Sequence, residues 1–187
     1  DLVQKINGRS IKNIQQLQAY IDQSPASSLQ HTFSVVRNQQ VIEISVISRL
    51  PAIVTDLRQS VWKGFDRIDF TLSGRSCLLV APKHPARNNP WIWRTEFFGH
   101  EPQGDSMLLA KGYHVAYIDV QNMYGAPVGL NYMNDLYNYL TSGYNLNKKV
   151  VLEGFSRGGL FAFNWAARHP EQVACIYGDA PVLDFKS

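Results

Sequence analysis

The run Gly154-Phe155-Ser156-Arg157-Gly158 places a serine between two glycines in a setting that chemistry can use. It follows the apolar run Val150-Val151-Leu152 and leads into Gly158-Gly159-Leu160-Phe161-Ala162. A serine on a tight strand-to-helix turn projects its hydroxyl past the carboxyl edge of the strand. Glycines at 154 and 158 remove side chains that would crowd so sharp a turn. The helix N-terminus beneath offers unpaired N–H groups and positive potential to a developing oxyanion. Ser156 is therefore a candidate nucleophile, and the backbone N–H of Arg157 is the first candidate oxyanion donor. The plainer alternative is a serine N-cap in a glycine-rich turn.

The elements that must position this turn follow from pattern. Asp69-Phe70-Thr71-Leu72 reads as a strand turned by Gly74. Short continuous apolar runs occur at Cys77–Ala81, Val115–Ile118, Val150–Leu152 and Val173–Tyr177. Runs apolar on both faces suit a parallel sheet covered by helices. Between them lie helical stretches at 105–110, about 131–141 and about 158–168, the last stopped by Pro170. Gly125, Pro127 and Gly129 mark a turn-rich loop. Alternating strands and helices give an α/β class with a mostly parallel sheet. Cys77 and Cys175 each sit in an expected core strand, where a free thiol packs as a small hydrophobe.

The first 48 residues follow a different plan. Ile6-Asn7-Gly8-Arg9-Ser10-Ile11 reads as strand, turn, strand. Asn13 with Gln16 three residues on forms a capping box. Ile14, Leu17 and Ile21 share a helical face, and Ser24-Pro25 ends that helix. His31 to Arg37 and Val41 to Ile47 are two strands joined by Asn38-Gln39-Gln40. Residues 1–48 are therefore read as one small α+β module, 49–66 as a junction without clean period, and 67–187 as the α/β domain. The first module resembles the C-terminal half of a PDZ domain on Asp1, Val3, Asn7, Gly8, Ile11, Leu17, Ile21, Val35 and Arg37. That family binds peptides as an added strand, so a peptide partner is implied only for a complete module.

From about Trp62 onward the chain resembles the α/β-hydrolases, with Ser156 as nucleophile. The segments Ala86–Arg94, Phe97–Pro102, Val115–Val120, Glu153–Gly159 and Cys175–Pro181 are similar to a bacterial branch of esterases and prolyl oligopeptidase-like proteins. The resemblance implies further roles. The second oxyanion donor follows the third strand; taking that strand as Cys77–Ala81 points to Lys83 or His84, since Pro82 has no N–H. The loop after it lies over the cleft, so Trp91, Trp93, Arg94 and Glu96 either wall a substrate pocket, with Arg94 meeting a carboxylate, or pack the loop and pair locally. Asp119 ends the next strand and either caps the following loop or lines the pocket. The triad order of serine, acid, histidine makes Asp179 the best acid and Asp184 a poorer one. No histidine follows His169. His84 and His100 precede the serine and do not fit the family's order. The chain is accordingly expected to be a fragment, truncated before the last strands, with the histidine beyond its end.

Composition excludes several other classes. The 187 residues carry a net charge of +3 with basic residues scattered, so no nucleic-acid stripe is present. No run is long and apolar enough for a membrane span. No metal constellation and no dinucleotide fingerprint appears, so no cofactor is expected. The expected function is a serine hydrolase of small-molecule carboxylic esters. The alternatives are a serine peptidase of the prolyl oligopeptidase type and a non-catalytic binding protein. A bacterial periplasmic or secreted location is the weakest of these expectations.

Overall fold

The computed structural model describes residues 2–17, 30–47 and 54–184. The chain divides into two compact units, Asp1–Pro51 and Ala52–Ser187.

The first unit is a four-stranded antiparallel sheet in the order β2-β1-β3-β4. Its strands are β1 (Leu2–Ile6), β2 (Arg9–Ser10), β3 (Gln30–Arg37) and β4 (Gln40–Ile47). Both hairpins use two-residue turns with positive φ: Asn7 and Gly8 at 47° and 78°, Asn38 and Gln39 at 50° and 64°. Such turns match the right-handed strand twist. Residues 14–17 are helical. Asn13 Oδ1 accepts the Gln16 N–H at 2.9 Å, and Gln16 Oε1 accepts the Lys12 N–H at 3.0 Å, so the expected cap forms. The rest of that helix, with Ile21 and the Ser24-Pro25 stop, lies outside the described residues.

The second unit holds a seven-stranded sheet in the order β11-β10-β8-β9-β7-β6-β5. The strands are β5 (Val54–Trp62), β6 (Phe65–Leu72), β7 (Arg75–Ala81), β8 (Trp91–Arg94), β9 (His114–Ile118), β10 (Val150–Phe155) and β11 (Val173–Asp179). β5, β6 and β7 form an antiparallel meander, and β7 also runs antiparallel to β9. β9, β8, β10 and β11 are mutually parallel. The helices are α1 (Gln103–Ala110), α2 (Pro127–Gly143) and α3 (Gly158–Arg168). No helix among the described residues is long and apolar enough to cross a membrane.

Two faces of apolar residues close the sheet. Trp91, Trp93, Leu152, Leu136, Phe161 and Trp165 belong to one core cluster. Leu78, Val80, Ile92 and Val115 meet Leu109 of α1 on the other. Trp93 lies 5.4 Å, ring centre to ring centre, from both Trp91 and Trp165. Trp91 Nε1 donates to Asn147 O at 2.7 Å, so its buried indole is satisfied.

Several expectations are corrected here. β5 occupies half of the stretch read as a junction; it is exposed along seven central residues and bulged between Thr55 and Arg58, which hides its period. Pro127 and Gly129 are not loop residues but open α2, with Pro127 at the helix start, where a missing N–H costs nothing. Cys77 is buried as expected, but Cys175 is exposed because β11 is the last described strand of the sheet. The largest correction concerns Trp91 to Arg94. These residues form a fully buried strand between β9 and β10, not a loop over a cleft.

Candidate active site

Ser156 stands where β10 meets α3, with φ at +50°. A non-glycine residue pays about 1–2 kcal/mol for that conformation, so the surroundings must hold it. They do so through the backbone. The Ser156 N–H donates to Asp179 O at 3.0 Å, while Ser156 O accepts from the N–H groups of Gly159 (3.0 Å) and Val182 (2.8 Å). The glycines are favoured by contact as well as by pattern. A Cβ on Gly154 would lie 3.0 Å from Gly159 Cα and 3.1 Å from Ala162 Cβ. One on Gly158 would lie 2.9 Å from Thr95 Oγ1 and 3.2 Å from Glu96 Cβ.

Those contacts identify the loop that faces the elbow. It is Thr95-Glu96-Phe97, directly after β8. Thr95 is 1% exposed. Its N–H donates to Glu153 O at 3.1 Å, and its hydroxyl lies 2.9 Å from Glu153 O and 2.7 Å from Gly158 O. Thr95 thus ties the loop to the last turn of β10 and the first of α3. Its position immediately after a Trp-rich strand was the available signal, masked once Trp91–Arg94 was read as loop.

Lys83 and His84 do not reach this place. β7 is antiparallel to β9, with Cys77 opposite Ile118 and Val80 opposite Val115. Its end therefore delivers Lys83 and His84 to the edge of the sheet where β9 begins, opposite Ser156. There they line a cavity of about 270 Å³ with Lys63, Phe65 and Leu109. The strand beside the elbow strand is β8, which makes the loop after β8 the neighbour of Arg157 and Gly158.

The expected pocket residues separate. Trp91 and Trp93 are fully buried and face the core. Arg94 and Glu96 do not pair with each other. Arg94, 3% exposed, donates to Asp105 Oδ2 at 2.9 Å and stands 3.4 Å from Glu153 Oε1. Burial pushes the Asp105 and Glu153 carboxyls up against the opposing pull of Arg94. Glu96, 1% exposed, stands 3.4 Å from Arg157 Nε, and burial raises its pKa too. Neither Glu96 oxygen has a hydrogen-bond partner among the described residues. Asp119 caps its own loop: its carboxylate accepts the Gln121 N–H at 3.0 Å and lies 3.6 Å from Arg75 Nη2.

Asp179 ends β11 opposite Phe155, and its side chain is exposed. With Arg94, His100, Glu101, Glu153 and Tyr177 it lines a cavity of about 130 Å³. His100 stacks on Phe155, the residue before Ser156, at 5.2 Å between ring centres. The other histidines with described side chains lie elsewhere. His114 is buried at the start of β9, and burial lowers its pKa. His169 caps the far end of α3 and packs on Trp165. Among the described residues no group of His, Cys, Asp and Glu could hold a metal ion.

No protein-family model matches the chain, and no curated protein matches it in sequence. Solved structures do match. Candida antarctica lipase A in its closed state superposes with a TM-score of 0.53 at 14% identity, over 67% of this chain and 41% of that one. A second structure of Candida antarctica lipase A gives 0.52 at 14% identity, over 67% and 40%. The chain thus spans less than half the length of the lipase it resembles. At such identity the likeness speaks for architecture alone, and that architecture is an α/β fold of the α/β-hydrolase type.

Proposed function

We propose that the protein is a serine hydrolase acting on small-molecule carboxylic esters, with Ser156 as its nucleophile. The observation that carries this is the elbow itself. Ser156 holds φ at +50° between β10 and α3, with glycines at 154 and 158 where a Cβ would sit only 3.0 and 2.9 Å from its nearest neighbour. A serine that only capped a helix would need no such conformation.

In this mechanism Ser156 Oγ bonds to the ester carbonyl carbon as its proton passes to a histidine base. The oxyanion is held by the N–H of Arg157 and, from the loop after β8, the N–H of Glu96. Collapse expels the alcohol, which takes up the proton, and water then cleaves the acyl-enzyme. Asp179 serves as the acid that orients the base. His100 is the one described histidine at this edge with its ring beside the elbow strand. The family order instead places the base after the acid.

The test is labelling of the full-length protein with a neutral fluorophosphonate. Modification at Ser156, abolished in Ser156→Ala, supports the proposal. A folded protein that does not label refutes it and leaves the binding-protein alternative standing. Labelling retained in His100→Ala excludes His100 as the base. Parallel turnover of an ester and the matching anilide separates esterase from peptidase. For the first unit, the order of hairpin, helical turn and hairpin supports the PDZ-like reading.

A further inference from the structure

The carboxylate-binding role that the sequence suggested for Arg94 fails, because Asp105 and Glu153 occupy that side chain. Arg157 has the opposite character. Its guanidinium is held on two sides. Glu96 Oε1 stands 3.4 Å from Nε, and the Phe97 ring lies 5.0 Å below Cζ. Both contacts come from the loop that faces the elbow. The side chain keeps 30% of its surface exposed. Nε itself is buried without a hydrogen bond, so that exposure lies on the rest of the side chain, and the Asp119 carboxylate is taken up by Arg75 and the Gln121 N–H.

A long side chain in ion-pair contact at Nε and lying over an aromatic ring gives up part of its conformational freedom before a ligand arrives. The planar edge left over matches the two oxygens of a carboxylate. Arg157 also follows Ser156 directly, and its own N–H points from the start of α3, where the helix favours negative charge. Burial disfavours the charged form of Glu96, which leaves the guanidinium less neutralised toward a ligand. The buried Glu96 oxygens lack a hydrogen bond, and Oε1 has the Arg157 Nε as its ion-pair contact.

We infer that the Arg157 guanidinium, braced by Glu96 and Phe97, is a carboxylate receptor. The preferred substrates are then esters that carry a free carboxylate a few bonds from the scissile carbonyl. This inference rests on Ser156 being the nucleophile only for its catalytic readout, since the receptor is testable by binding alone.

Two experiments on the full-length protein decide it. In the first, kcat/KM is compared for 4-nitrophenyl acetate and mono-4-nitrophenyl succinate. The expected preference for the succinate ester is about tenfold or more, collapsing toward parity in Arg157→Gln. A wild-type ratio near one, or a ratio unchanged in Arg157→Gln, overturns the inference. In the second, succinate binding to Ser156→Ala is measured by calorimetry, with dimethyl succinate as the uncharged control. The double variant Ser156→Ala/Arg157→Gln is expected to bind succinate at least tenfold more weakly. Equal binding of the charged and uncharged ligands overturns the inference even if Ser156 labels normally. Succinate binding in a protein that does not label preserves the receptor and refutes the serine mechanism. Should Arg157→Gln not fold, Arg157→Lys keeps the charge but loses the planar edge. It is expected to weaken succinate several-fold, and unchanged affinity refutes recognition by the fork.

Discussion

Replacing Arg94 by methionine tests the buried charge network beneath the site. The side chain is 3% exposed, its partner Asp105 is fully buried, and Glu153 keeps only 14% of its surface. Removing the cation strands two carboxylates, and breaking a buried pair this way costs about 3–5 kcal/mol. With roughly 2.1 cal/mol/K of unfolding entropy per residue, a unit of roughly 140 residues should melt about 10–17 °C lower. The sign of the pH dependence follows from the raised carboxyl pKa values. An acid with a raised folded pKa holds its proton more tightly when folded. Its contribution is fully present below the ordinary range and is lost as pH rises through the folded value. Loss of Arg94 raises both values further, so Arg94→Met is expected to lose most at pH 7.5 and little near pH 4.5. All four tryptophans, at 62, 91, 93 and 165, belong to the second unit, so indole fluorescence during urea titration reports that unit. A cost below about 1 kcal/mol at pH 7.5, or one that does not shrink at pH 4.5, would refute the assignment of Arg94 as the counter-charge of this cluster.

Other outcomes follow from the elbow and the thiols. Gly158→Ala pushes on Thr95 and Glu96 and should slow fluorophosphonate labelling by about 100-fold, read by mass spectrometry over time. Ser156→Gly should be about 0.5–1 kcal/mol more stable than Ser156→Ala in urea, because only glycine accepts a φ of +50° without strain. Thr95→Val removes a hydroxyl that bridges two backbone carbonyls and should cost about 1–2 kcal/mol by the same titration. With a maleimide at pH 8, exposed Cys175 should react at least about 100-fold faster than Cys77, which is buried and whose thiol is pushed up to about 12.

The elbow was legible because its chemistry is local. Five consecutive residues carry the motif, and the apolar runs on either side fix strand and helix. The partner loop was not, because its position depends on which strands become neighbours. β8 has four residues, begins after Pro90 and ends in an arginine, so no period of two stands out. Its Trp-Ile-Trp alternation instead divides between the two faces of the sheet, and that is visible only once both faces are covered. The exchange of β8 and β9 in the sheet order then put Thr95-Glu96, and not Lys83-His84, beside Gly158. Glu96 and Arg94 sit two residues apart yet serve different partners, which no spacing rule separates. Cys175 was misjudged for a related reason: Val173 to Tyr177 is apolar enough for a central strand but lies at the end of the described sheet.

The position of β8 also sets the order in which the sheet can be assembled. Its four residues pair with β9 on one side and with β10 on the other, joining segments far apart in the chain. The β5–β6–β7 meander needs only short loops and can form early, whereas β10 and β11 gain their connection to it only through β8. Closing such long loops is slow, and until it happens the flanks of β9 and β10 stay open to pairing with other chains. The shortest strand of the parallel half is therefore the kinetic keystone: a chain emerging from synthesis cannot complete the sheet beneath the Ser156 turn until Trp91–Arg94 is seated between partners made after it.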